Sequence, residues 1–178
     1  MRSYGKKQSW SGGIARVSRR GAARWREHQH PWIYRSDMIT PPAAEAGTVL
    51  VVDDREIALG MALWSPTSTI SLRMLTHDER TIDGGFWRER LAAAIAYRER
   101  LAPRPDAYRV VHGEGDGVPS LRVGRYGEWL VVQLLSSGLE RHRADIVDAL
   151  RELLRPTGIL ARNDVPVRDH ERLPRAIE

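Results

Sequence analysis

The chain contains no cysteine among its 178 residues. This absence excludes disulfide bonds, thiolate metal sites and any enzyme that uses a thiol as its nucleophile. Long apolar runs are absent as well: the longest strongly apolar stretch, residues 129–135, contains Gln133 and falls far short of the roughly 20 residues that span a bilayer. No apolar segment of the kind that secretory signals carry follows the basic N-terminus. We therefore expect a cytoplasmic protein without a membrane partner.

Lysine is scarce, and arginine outnumbers it 26 to 2. The positive charge is concentrated at one end of the chain. Residues 1–36 hold nine arginines and lysines and one acidic residue, a net charge of +8, whereas residues 37–178 carry a net charge of −3. A basic end on a nearly neutral body is typical of proteins that bind the phosphates of nucleic acids. A merely solvated, charged terminus is the alternative that composition leaves open.

Aromatic side chains are interleaved with the basic cluster, as Trp25 and Trp32 illustrate. Guanidinium groups can contact phosphates and planar rings can stack on exposed bases, so this pattern favours RNA. Trp32 is expected in the core because two further bulky residues, Ile33 and Tyr34, follow it. The predicted RNA contacts lie at the surface, so that their removal should leave the fold intact. They are Arg19, Arg20 and Arg24, with Arg16 and Lys7 as weaker candidates.

Short strand patterns dominate the first half of the chain. Runs rich in valine, isoleucine and leucine predict strands at residues 14–17, 48–52, 57–63 and 70–75. Between the first two runs, a single helical turn is expected within residues 18–30, which Pro31 ends. Strands this short and this closely spaced predict a small β-barrel.

Longer helical patterns begin beyond residue 76. Asp83 can cap a helix that runs to about Leu101, and a second helix is predicted over residues 140–154. The intervening and following strands are predicted at residues 108–112, 121–125, 129–135 and 158–162. The predicted fold class is thus α+β, a small β-barrel followed by a mixed α/β domain. We expect a lead-in at residues 1–13 and domains at residues 14–76 and 77–178.

The glycine-rich segment Gly113–Gly117 permits two interpretations besides a simple turn. A strand followed by alternating glycines resembles a nucleotide-binding loop, but the residues after it continue as a strand and not as a helix. Alternatively, His112, Glu114 and Asp116 alternate, and an extended chain would place them on one face, where they could hold a divalent metal for hydrolysis. A glycine-rich turn is favoured over both.

The order of motifs along the chain resembles a known family. Residues 30–34, 47–52, 59–68 and 73–75 resemble a PUA domain, and more narrowly the PUA domain that opens the RlmI-like, SAM-dependent 23S rRNA cytosine-5 methyltransferases. Residues 108–109, 114–119, 121, 125–127, 133–134, 138–140 and 162–168 resemble the central EEHD-type domain of that family. The resemblance covers about residues 14–174. Departures from the family pattern stand at Gln29, Ser120, Gly124 and Arg172.

The resemblance implies that this chain binds structured RNA, with 23S rRNA as the expected partner. Family members continue into a C-terminal Rossmann-like domain that holds the S-adenosylmethionine site and the cysteine nucleophile. We therefore expect no catalytic residue, cofactor site or metal site in this chain, and no methyl transfer by it alone. A fragment, a truncated gene product and one part of a split enzyme with a separately encoded methyltransferase domain remain open, as does a homodimer. The alternatives are a stand-alone RNA-binding protein and a small metal-dependent hydrolase.

Overall fold

The computed structural model describes residues 13–101 and 106–178. In chain order, the strands within these ranges are β1 (Ile14–Val17), β2 (Trp32–Tyr34), β3 (Met38–Thr40), β4 (Gly47–Val52), β5 (Ala58–Trp64), β6 (Ile70–Met74), β7 (Ala107–His112), β8 (Leu121–Tyr126), β9 (Trp129–Leu134) and β10 (Gly158–Ala161). The α-helices are α1 (Arg19–Arg26), α2 (Gly84–Glu99), α3 (Ser137–Glu140), α4 (Arg143–Leu154) and α5 (Val167–His170). The predicted α+β fold class is confirmed.

The first six strands form one barrel-like sheet in the order β2-β6-β5-β4-β1-β3. Strands β4, β5 and β6 pair antiparallel in sequence, while β1 runs parallel to β4 and antiparallel to β3. Alternate residues of β4, such as Val49 and Val51, point into a core that α1 closes with Ala22 and Trp25. The helix is therefore held by burial of its apolar side, since an isolated helix of eight residues is unstable in water.

Strand β5 crosses very close to the chain that follows β6. Gly60 has a φ of +121°, and a Cβ at this position would lie 1.9 Å from the carbonyl oxygen of Thr76. The Leu75 amide donates to the Met61 carbonyl at 2.8 Å in the same crossing. Only glycine satisfies both the backbone conformation and the close approach.

The last four strands form a second sheet in the order β10-β9-β8-β7. Strands β7, β8 and β9 are antiparallel neighbours, and β10 pairs parallel to β9. Helices α2 and α4 cover one face and bury Trp87, Leu91 and Leu150 against Leu121 and Leu130 of the sheet. Asp83 caps α2 as predicted, because its Oδ1 accepts from the Phe86 amide at 3.0 Å.

The two sheets are joined by buried polar contacts. The Arg73 guanidinium of β6 donates to the Glu171 carboxylate at 2.8 Å, and Glu171 also accepts from the Ser137 amide at 3.0 Å. The backbone of Trp64 lies so near α3 that a Cβ at Gly138 would be 2.8 Å from its carbonyl oxygen. Leu63 and Leu75, which lie before the predicted domain boundary near residues 75–80, pack in the hydrophobic core of the second sheet. The two cores are thus not cleanly separated at that point, and the division into two domains stays a prediction.

Three details differ from the sequence expectations. Helix α1 covers eight residues where a single turn was expected. The predicted helix over residues 140–154 is divided into α3 and α4 at His142, whose Nε2 lies 2.7 Å from Thr48 Oγ1. Leu101 lies beyond α2 and is 56% exposed, so the apolar stripe of that helix ends before it. No helix within the described ranges is long and apolar enough to cross a membrane.

Candidate nucleic-acid interface

Helix α1 carries most of the predicted RNA contacts. Ser18 begins the helix, because its Oγ accepts from the Gly21 amide at 3.2 Å. Gly21, Ala22 and Trp25 form the buried side, which places the arginines along the opposite side and its margins. The first turn contains arginines and no acidic residue, although the N-terminal end of a helix dipole is already positive. This arrangement concentrates positive potential at the start of the helix.

A buried carboxylate holds two of these arginines. The side chain of Asp37 is 0% exposed and accepts from Arg20 Nε at 2.5 Å and Arg24 Nε at 3.1 Å. The close approach depends on Gly21, since a Cβ there would lie 3.0 Å from the Cβ of Asp37. Arg24 also lies over the ring of Tyr34, with its guanidinium carbon 5.0 Å from the ring centroid.

The loop between β4 and β5 supplies further acidic partners. Arg26 donates to Asp53 at 2.7 Å, Arg19 pairs with Asp54 at 3.2 Å, and Arg16 lies 3.9 Å from Glu56. Burial alone would raise the pKa of Asp53, but the amides of Ile57 and Arg55 and the Arg26 guanidinium outweigh burial and lower that pKa.

Exposure separates the predicted arginines into two groups. The side chains of Arg19 and Arg20 are 76% and 64% exposed, whereas that of Arg24 is 33% exposed. Arg16 is also partly withdrawn and donates to the Asp54 carbonyl. Arg19 and Arg20 can thus reach a bound phosphate, whereas Arg24 mainly anchors Asp37. The expectation that all three helix arginines are dispensable for folding stays a prediction, and the contacts of Arg20 and Arg24 with the buried Asp37 argue against it. Lys7 lies outside the described residues.

The aromatic residues of the cluster have different roles from those expected. Trp25 is the buried one: its indole N–H donates to the Leu59 carbonyl at 3.1 Å, and its ring stacks on His77 with centroids 3.9 Å apart. Trp32, predicted as a core residue, is only half-buried. Its indole N–H donates to Glu114 at 2.8 Å and so links the two sheets.

The glycine-rich segment neither forms a cofactor loop nor gathers a metal site. Gly113–Asp116 is a 3-10 turn whose amide and carbonyl groups bond within the turn, and β8 follows it where a nucleotide-binding helix would stand. These residues do not fit S-adenosylmethionine. Asp116 is bound by both Nη atoms of Arg98, and Glu114 by Trp32, so the three proposed ligands do not converge. The described residues contain no group of three or more candidate metal ligands.

The acidic partners of α1 were not identified from the sequence. Asp37 is the nearest of them in the chain, only 13 residues after Arg24. Its position between two bulky apolar segments was the one sequence feature that could have indicated a buried carboxylate paired with the helix. Asp53 and Asp54 lie 27 and 35 residues from their partners. Their proximity arises only when β4 and β5 pair.

Comparisons with known proteins agree with this architecture. Residues 16–77 match the family of the PUA-like domain. The chain is 38% identical over 150 residues to ribosomal RNA large subunit methyltransferase I of Klebsiella pneumoniae, which covers 82% of this chain and 38% of that protein. The protein of the same name from Alteromonas mediterranea is 39% identical over the same shares.

Solved structures show the same fold at lower identity. A protein from Streptococcus mutans assigned as a SAM-dependent methyltransferase superposes with a TM-score of 0.75 at 16% identity, over 84% of this chain and 40% of that one. A second, also assigned as a methyltransferase, is in complex with SAH and has the same TM-score. This chain therefore spans about two fifths of the length of the proteins that it matches.

Proposed function

The chain is a homologue of the proteins named ribosomal RNA large subunit methyltransferase I and carries a PUA-like domain, and from this premise we propose that it is the RNA-docking part of an rRNA methyltransferase. Its partner is structured RNA, and 23S rRNA or its precursor is the proposed substrate. The observation that carries the proposal is the pair of exposed guanidiniums, Arg19 and Arg20, at the start of α1.

The ion pairs of these arginines are compatible with phosphate binding. A guanidinium has five N–H donors, and each of these two uses its Nε for a carboxylate. In Arg19 this leaves both terminal nitrogens without a partner in the described structure, and in Arg20 one of them donates to Ser36. The carboxylate fixes the orientation of each side chain, so less side-chain entropy is lost when the remaining donors bind a phosphate.

Both guanidiniums are more exposed than their acidic partners. Asp37, the partner of Arg20, is 0% exposed, and Asp54, the partner of Arg19, is 30% exposed against 76% for Arg19, so an approaching RNA meets the guanidiniums first. The positive end of the α1 dipole adds to the same field. Backbone phosphates are therefore the ligand that this surface fits best.

Methyl transfer itself belongs, in this proposal, to the part of the relatives that this chain does not match. A cytosine-5 methyltransferase of this kind uses a cysteine nucleophile and SAM, whereas this chain contains no cysteine and its glycine-rich turn, Gly113–Asp116, does not fit the cofactor. The RNA-docking part would act with such a domain, either in one polypeptide or as a separate chain.

Equilibrium binding to a fluorescent 23S rRNA fragment tests the proposal. Arg19→Ala/Arg20→Ala should weaken binding by about tenfold or more, because each lost phosphate contact removes a charge-assisted hydrogen bond. Arg88→Ala/Arg151→Ala is a matched control, since it removes two similarly exposed, ion-paired arginines from α2 and α4. Equal losses in both variants would show that only net charge matters, and the proposed site would be wrong.

A further inference from the structure

One face of the second sheet carries several exposed side chains in the part of the chain that the structure describes. Helices α2 and α4 pack on the face that buries Val123, Leu130 and Val132. Because side chains alternate along a strand, the intervening residues point to the other face, and there Arg122, Tyr126, Trp129 and Leu160 are exposed. Each of strands β8, β9 and β10 thus contributes exposed side chains to this face.

Two aromatic rings lie against glycines on this face. A Cβ at Gly158 would be 2.2 Å from Cζ3 of Trp129, and a Cβ at Gly124 would be 3.1 Å from Cε2 of Tyr126. Each ring therefore rests over backbone that carries no side chain. Trp129 and Tyr126 are nevertheless 55% and 57% exposed, so each offers a ring face to solvent. The glycines lie on β10 and β8, which β9 separates by roughly 10 Å.

Unpaired arginines accompany the rings. Arg109 stands opposite Gly124 in the pairing of β7 with β8, and Arg122 stands opposite His112. Both arginines are exposed, and neither forms an ion pair with a described residue, in contrast to those of α1. Strands β7 to β10 contain no aspartate or glutamate.

We propose that this face, defined by Arg109, Arg122, Tyr126 and Trp129, binds unpaired RNA nucleotides by stacking bases on the two rings. Arg109 and Arg122 contact the phosphates. The inference rests on the proposed function for the identity of the partner as RNA, but its surface is separate from α1. Exposed aromatic rings on a sheet with nearby cations are the chemistry by which proteins hold single-stranded nucleic acid without sequence preference.

Charge complementarity favours RNA over a protein partner. The centre of a protein–protein interface is depleted of charged residues. Here two guanidiniums without carboxylate partners in the described structure lie on the same sheet face as Tyr126 and Trp129, which stand directly opposite each other on β8 and β9. A protein packed on this face would have to supply carboxylates for both guanidiniums, since strands β7 to β10 contain none. A nucleic acid supplies both phosphates and planar bases.

The test compares a single-stranded RNA of about 12 nucleotides with a fully paired RNA hairpin, each titrated with the full chain and followed by fluorescence anisotropy. Tyr126→Leu/Trp129→Leu keeps the glycines covered but removes both π faces. We expect its affinity for the single strand to fall about tenfold or more, with a much smaller change for the hairpin. Tyr97→Leu is the control, because Tyr97 is similarly exposed, at 49%, on α2.

Arg109→Gln/Arg122→Gln gives a second, independent readout. Loss of two phosphate contacts should flatten the salt dependence of single-strand binding by about 1.4 units. Unchanged single-strand affinity in the folded leucine variant would overturn the proposal. If that variant altered sedimentation and left RNA binding intact, the face would be a protein-docking surface and the proposal would be wrong. Arg19→Ala/Arg20→Ala should weaken binding of the hairpin more than binding of the single strand. If it leaves hairpin binding unchanged, the proposed function of α1 fails, whatever the leucine variant shows.

Discussion

Removal of both arginines that hold Asp37 should destabilise the fold. In Arg20→Ala/Arg24→Ala, the carboxylate of Asp37, which is 0% exposed, loses the guanidiniums at 2.5 and 3.1 Å. Stranding a buried charge costs about 3–5 kcal/mol, and water entering where the partly exposed Arg20 stood reduces that cost. We expect a loss of about 3 kcal/mol for the double variant. Each single variant should lose about 1 kcal/mol, because the other arginine still pairs.

Urea unfolding followed by circular dichroism measures this directly. A loss of about 3 kcal/mol lowers the urea midpoint at an unchanged slope and lowers Tm by roughly 6–12 °C in a chain of this size. Adding Asp37→Asn to the double variant should restore at least about 1 kcal/mol, since an amide is less costly to bury than a carboxylate. If the double variant stays within about 0.5 kcal/mol of the parent, or Asp37→Asn restores nothing, Asp37 is not held as argued.

Three further predictions concern other parts of the molecule. Gly60→Ala should cost about 3 kcal/mol or more in urea unfolding, because its methyl group would overlap the Thr76 carbonyl at 1.9 Å; a loss below about 1 kcal/mol would show that this crossing relaxes easily. The lowered pKa of Asp53 contributes stability that is present above its unfolded-state pKa, near pH 4, and is lost as pH falls through the folded-state pKa. Asp53→Asn should therefore flatten the fall of the urea midpoint below about pH 4, and an unchanged pH profile would contradict the role given to Asp53. Calorimetric titration of the chain with SAM should give no binding heat, whereas micromolar binding would show that the turn at Gly113–Asp116 was misjudged.

Local patterns in the sequence were sufficient for most of the fold. The alternation of Leu121 and Val123 with polar residues predicted β8, and Asp83 predicted the start of α2 through its capping side chain. Helix α1 was underestimated, because its stability comes from the burial of Ala22 and Trp25 in the barrel core and not from local propensity.

The candidate site was only partly predictable. The sequence places nine cations and one anion in residues 1–36, so the cluster looks unbalanced. Folding brings Asp37, Asp53 and Asp54 from outside that segment to the helix, and this long-range pairing has no local signature. Exposure then separates Arg19 and Arg20 from Arg24, which no spacing rule distinguishes.

The proposed nucleotide-binding face of the second sheet could not be predicted from the sequence for a different reason. The sequence gives the alternation within β8 and β9, but alternation does not tell which face a helix will cover. Trp129 begins a strongly apolar run and is nevertheless 55% exposed. Its position became evident only from the packing of its ring on Gly158, which belongs to a strand 29 residues later.

The salt dependence of binding to a structured 23S rRNA fragment tests the central claim most directly. If Arg19 and Arg20 contact phosphates, the logarithm of the association constant should fall steeply and linearly with the logarithm of salt concentration for the parent chain. Arg19→Ala/Arg20→Ala should reduce that slope by about two units, roughly one per lost contact, while Arg88→Ala/Arg151→Ala should leave it nearly unchanged. A parental slope and affinity in the folded Arg19→Ala/Arg20→Ala variant would contradict the account.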